Sequence, residues 1–190
     1  MRRYTVNNVM AANPCKNNYP RKRIEQLFAG QDYLTLDDLP ELDIPDKDKL
    51  WTLINVVSDD RQRRLLAADC AERALLRERE AGREPDPRSW RATDVARKFA
   101  EGQASHEELM AAGAAANAAM VDACSDADAS EVPEMVDAAW AAWAAMAADA
   151  AASAWIFAAD STARRDELKW QLERAMEYAR EEGTTAPESA

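Results

Sequence analysis

The stretch AAWAAWAAMAADAAASAWIFAAD, residues 138–160, decides how the rest of the chain is read. It is long enough to cross a bilayer as a helix, which takes about 20 residues. Its composition argues against that. Alanine gains little on leaving water, and a mid-span aspartate such as Asp149 costs about 2.5–3.5 kcal/mol on an insertion scale. No lysine or arginine cluster brackets the run, and Asp122, Asp126, Asp128, Glu131, Glu134 and Asp137 precede it. Val136, Trp140, Trp143, Ala147, Ala150, Ala154 and Phe157 step by four and three, which makes one seam of an amphipathic helix. Small side chains let neighbouring helices approach closely, and the indoles fill the remaining gaps. The stretch is therefore predicted to be a helix packed against other helices, not a membrane span.

The totals set bounds on function. The chain has 190 residues, with 24 basic and 35 acidic side chains and a formal charge of −11. That balance disfavours direct attachment to nucleic acid or an anionic membrane, and it permits a basic protein partner. Three cysteines, Cys15, Cys70 and Cys124, share no close spacing. MRRYTVNNVM has two arginines with no apolar region behind them, and together these features lead us to expect a cytoplasmic protein.

Helix punctuation recurs along the chain. Residues 1–19 are rich in asparagine and read as irregular, with Tyr4-Thr5-Val6 a candidate extended piece. Pro20 opens RKRIEQLFAG and Gly30 closes it, with Ile24, Leu27 and Phe28 on one face. Thr35 caps a single turn, TLDDLP, and Pro45 starts a helix that buries Leu50, Trp51, Leu53 and Ile54. Ser58 is expected to cap the helix carrying Leu65, Leu66, Asp69, Cys70, Arg73 and Leu76. Asp86-Pro87 opens another, ending at Gly102, and Ser105 with Glu108 forms a capping box before an Ala-rich helix. Residues 125–135 read as a bend, and a last helix runs over about 164–182. Nothing alternates at period two. An all-α bundle of six to eight helices is predicted over residues 20–182, behind an irregular segment 1–19 and before a disordered tail 183–190.

Motifs for catalysis are sparse. His106 is the single histidine, and its place in a capping box points to an exposed first turn. The spacings that hold zinc, C-x2-C and H-x3-H, do not occur, nor do the glycine-rich phosphate loops. Asp37, Asp38, Glu41, Asp43, Asp46 and Asp48 crowd one segment but lack the order and glycine of an EF-hand. No cofactor, metal or catalytic residue is expected. Asp69 and Arg73, four apart in LLAADCAERALL, are expected to pair on one helix face.

Several stretches resemble a known family: DCAERALL at 69–76, DPRSWRATDVARKFAEGQASHEELMAA at 86–112 and DELKWQLERAMEYAR at 166–180. The upstream YPRKRIEQLFAG and TLDDLPELDIPDKDKLWTLINVV are similar to its leading region. Together they resemble the all-α immunity proteins of polymorphic toxin systems, of the Imm-five type, and their phage-encoded relatives. The first 18 residues depart from that pattern. The resemblance implies a stoichiometric inhibitor that neutralises a toxin effector. In a phage it implies one that blocks a host nucleic-acid-binding defence complex such as a CRISPR surveillance complex.

Two acidic clusters are the candidate partner-binding residues: Asp37, Asp38, Glu41, Asp43, Asp46 and Asp48, and Asp122, Asp126, Asp128, Glu131, Glu134 and Asp137. Duplex DNA carries a charge about every 1.7 Å. The second cluster, if helical, carries one about every 4 Å, so one segment alone is too sparse to mimic it. The alternative is a self-associating structural protein, in which Trp140 and Trp143 form the seam of a homodimer.

Overall fold

Proline and glycine punctuate this chain, and the helices follow them. A computed structural model describes residues 2–126 and 161–181. The described elements are α1 (Val6–Ala11), α2 (Arg21–Leu27), a 3-10 turn (Leu36–Glu41), α3 (Asp46–Thr52) and a π-turn (Leu53–Val57). They continue with α4 (Asp60–Glu80), α5 (Pro87–Ala100), α6 (His106–Asp126) and α7 (Ser161–Glu181). The protein is all-α, and among the described residues the one β feature is an isolated antiparallel bridge between Tyr4 and Leu34. None of the helices searched in the described residues is long and apolar enough to cross a membrane. The Trp-bearing stretch 138–160 and the expected disordered tail lie outside the described residues; of the bend expected over 125–135, Ser125 and Asp126 continue α6 instead, and the rest lies outside them.

The chain divides into two compact units, Met1–Asp59 with Leu172–Ala190, and Asp60–Gln171. The first begins with a departure from expectation, because the segment expected to be irregular contains α1. The cause is a capping box built from asparagine. Thr5 Oγ1 accepts from the Asn8 N–H at 3.3 Å, and Asn8 Oδ1 accepts from the Thr5 N–H at 2.8 Å. Val6, Val9 and Met10 then pack on Ile24, Phe28 and Leu34, a contact that supplies what a six-residue helix lacks on its own. Tyr4 is extended as expected and exchanges both backbone hydrogen bonds with Leu34, at 2.8 and 2.9 Å.

Phe28 separates the end of α2 from a left-handed pair, Ala29 (φ 49°) and Gly30 (φ 82°). Gly30 adopts that conformation freely, whereas Ala29 adopts it at a steric cost. α3 runs into the π-turn, where the Ser58 N–H donates to the Leu53 carbonyl at 2.8 Å. Ser58 thus closes the π-turn, two residues before the first residue of α4. The wide turn places Leu53, Ile54 and Val57 in the interior, where each is at most 7 % exposed.

The second unit is built on alanine. α5 packs on both α4 and α6. Ala67, Ala68 and Ala71 of α4 meet Ala96 of α5 and Leu109 of α6, while Ala92 meets Ala112 and Ala116. Leu109 apart, the buried residues at these contacts have no side chain beyond Cβ, so the helices approach closely. Both start signals of α5 and α6 act as expected. The Asp86 side chain accepts from the Arg88 N–H at 2.7 Å, and Ser105 and Glu108 satisfy each other's backbone N–H groups at 3.2 and 2.7 Å.

Candidate functional site

The acidic segment of the first unit sorts its carboxylates by position. From Thr35 to Asp48 the chain makes a 3-10 turn, a bent link over 42–45 and the first turn of α3. Leu39 is buried and Leu42 and Ile44 half-buried, while Asp37, Glu41, Asp43 and Asp46 are exposed. A 3-10 turn repeats every three residues, so Leu36 and Leu39 line the interior while Asp37 and Glu41 face outward. Three of the six carboxylates are engaged within the chain. Asp38 accepts from the Thr35 N–H and hydroxyl, both at 2.7 Å, and these bonds hold its carboxyl below the ordinary range. Asp48 accepts the Tyr19 hydroxyl at 2.5 Å. Asp46 lies 3.8 Å from Lys49, whose ammonium donates to the Pro40 carbonyl at 2.8 Å. For Asp37, Glu41 and Asp43 the described residues supply no ion-pair partner.

Behind this segment is a cavity of about 150 Å³. Its walls come from every element of the N-terminal part of the unit, among them Val9, Ile24, Phe28, Leu34, Leu39, Trp51 and Val57. Tyr19 and Asp48 are its notable polar pair. Burial pushes the Tyr19 phenol up to about 12, aided by its bond to Asp48 and the charge of that carboxylate, while Arg23 above the ring acts the other way. No pattern search singles out this cavity, because its lining is drawn from residues 4–57 without a motif. The local signal was the apolar face Ile24, Leu27 and Phe28, which sequence reasoning assigned to packing.

The second unit holds the charged pair that the sequence placed on one helix face, and both partners turn elsewhere. Asp69 bonds Arg97 of α5, which also reaches Glu72 at 2.6 Å. Arg73 donates to Glu167 of α7 at 2.8 Å, and Arg77 donates to the same carboxylate. Gln171 completes the set, donating to Glu167 at 3.1 Å. Glu167 is 6 % exposed, and two guanidiniums and an amide compensate its burial. Cys70 lies beside this network; burial first, then Glu167 and Asp69, push its thiol far up, so it is an inert core residue. These groups fix helices to one another.

Asp122 is exposed on α6 and bonds Arg88 at 2.7 Å, and Asp126 is the last residue of that helix. Asp128, Glu131, Glu134 and Asp137, with Trp140 and Trp143, lie outside the described residues. His106 is exposed, its ring 6.3 Å from that of Phe99. Among the described residues searched, no group of three or more His, Cys, Asp or Glu side chains could hold a metal. The chain matches no family model, no curated protein and no solved structure.

Proposed function

We propose that the protein is a non-enzymatic inhibitor that binds a basic protein surface through its acidic segments. One observation carries this reading. Residues 35–48 turn their apolar side chains inward and leave Asp37, Glu41 and Asp43 exposed, with no cation among the described residues compensating them. A row of unpaired carboxylates on a turn held by Pro40, Pro45 and the Thr35 cap is pre-organised for a complementary surface. The partner classes are a toxin effector or a host nucleic-acid-binding defence complex. Asp126, Asp128, Glu131 and Glu134 form the second candidate contact.

The test is affinity capture of the tagged full-length protein from host lysate, read by mass spectrometry, beside two charge-reversal variants. One carries Asp37→Lys, Glu41→Lys and Asp43→Lys; the other carries Asp126→Lys, Asp128→Lys, Glu131→Lys and Glu134→Lys. A single protein released by moderate salt, and lost from the first variant while that variant keeps the parental melting temperature, is the expected result. Loss from the second variant alone moves the contact to that segment. Retention by both folded variants rules out an acidic contact. A chain that recovers only itself, in a dimer abolished by Trp143→Ala, identifies self-association instead.

A further inference from the structure

We propose that the cavity of the first unit is a binding site for a small organic cation with a benzene-sized apolar body, its ammonium group seated on Asp48. Size comes first. An engineered apolar cavity of about 150 Å³ holds one benzene ring, and this cavity encloses the same volume. Its walls are the right material for such a body, with Ile24, Phe28, Leu34, Leu39, Trp51 and Val57 around it. It reaches the surface, because the exposed residues Cys15 and Asn18 belong to its lining.

The polar groups select the charge. Asp48 is half-buried at the wall, accepts one hydrogen bond from Tyr19, and has no cation within ion-pair distance among the described residues. Lys49, next in sequence, donates to the Pro40 carbonyl, and Arg23 lies over the Tyr19 ring at 4.8 Å. A carboxylate taken partly out of water needs a compensating charge. The neighbouring hydroxyls cannot serve as donors to a ligand, because each has already given its single proton away. Tyr19 donates to Asp48, Thr52 to the Asp48 carbonyl at 2.9 Å, and Thr35 to Asp38 at 2.7 Å. What these three hydroxyls and Asp48 offer is acceptors alone. An ammonium group, which only donates, matches that set, while a carboxylate or a neutral acceptor does not. Phe28 and Trp51 add aromatic side chains to the lining, which favours a cation. This site differs in ligand class from the protein contact proposed above and stands without it.

The experiment titrates the full-length protein with three compounds of similar shape: phenethylamine, neutral ethylbenzene and anionic hydrocinnamate. Calorimetry gives affinity, and the Trp51 indole N–H resonance reports occupancy. Phenethylamine is expected to bind about tenfold tighter than ethylbenzene or better, with hydrocinnamate weakest. Asp48→Asn is expected to remove the preference for the amine while ethylbenzene still shifts Trp51, which shows that the cavity survives the substitution. Should Asp48→Asn fail to fold, the ranking of the three compounds on the parent protein decides alone. Equal affinity for amine and hydrocarbon, or no shift of Trp51 with any compound, overturns the proposal.

Discussion

Arg88 donates to Asp86 through both its backbone N–H, at 2.7 Å, and its guanidinium, at 2.7 and 2.9 Å. The guanidinium bonds are the main reason that the Asp86 carboxyl titrates below its ordinary value, with the N–H adding to them against partial burial. A depressed native pKa binds fewer protons than the unfolded chain. Its contribution is therefore present above the unfolded value near 3.8 and is lost as pH falls through the lower native one. Asp86→Ala should lower stability by about 1 kcal/mol near neutrality. The gap in melting temperature between variant and parent should close in acid, and a gap that is constant with pH would contradict this. Tyr19 has the opposite sign. Its native value, about 12 against 10 in the unfolded chain, contributes stability that is complete below 10 and is lost as pH rises through 12. Tyr19→Phe should flatten the alkaline decline of the denaturation midpoint, and Tyr19 should ionise late when the tyrosines are followed by ultraviolet absorbance. Local pairs such as Ser105 with Glu108 were legible in sequence, because three-residue spacing is all they need. Asp48 was not. It differs from Asp46 only by two positions on a short helix, and Tyr19, 29 residues away, decides which of them turns inward. Ala29 carries no mark of its left-handed backbone either.

At the level of elements, the helix start signals read correctly for α2, α3, α5 and α6, and the errors have common causes. α1 was missed because asparagine in a short polar segment reads as a loop, while its capping box and its contacts with Phe28 and Leu34 make it a helix. The π-turn has no sequence signature beyond the four aliphatic residues that flank Asn55. The expected Asp69–Arg73 pair failed because helix spacing shows which residues can meet, not what a neighbouring helix offers. Arg97 and Glu167 come from α5 and α7. The α4–α5 contact gives a sharper test. Ala96 has no exposed surface and faces Ala67, Ala68 and Ala71. Ala96→Leu should destabilise by about 1–3 kcal/mol through overpacking, whereas Ala114→Leu, at an exposed position of α6, should change little. Equal effects in denaturant melts would mean that the alanine faces are not in contact. Truncating Glu167 to alanine should also destabilise, because it leaves Arg73 and Arg77 without their shared carboxylate.

Across the whole molecule, a charge of −11 is the property a partner meets first. Composition made that legible, along with the all-α class, but it could not tell structural carboxylates from available ones. The fold makes part of that distinction, with Asp38 and Asp48 turned to Thr35 and Tyr19 and Asp37, Glu41 and Asp43 left outward. Long-range attraction between an acidic face and a basic one speeds association and weakens as salt screens it, over about 8–10 Å at physiological strength. The measurement that tests this most directly is the salt dependence of affinity for the captured partner. It compares the parent protein with a variant carrying Asp37→Asn, Glu41→Gln and Asp43→Asn. The account predicts weaker binding by the variant at low salt and a shallower slope of log Kd against log salt. Identical slopes and affinities for two equally folded proteins would show that the outward carboxylates of this segment do not touch the partner.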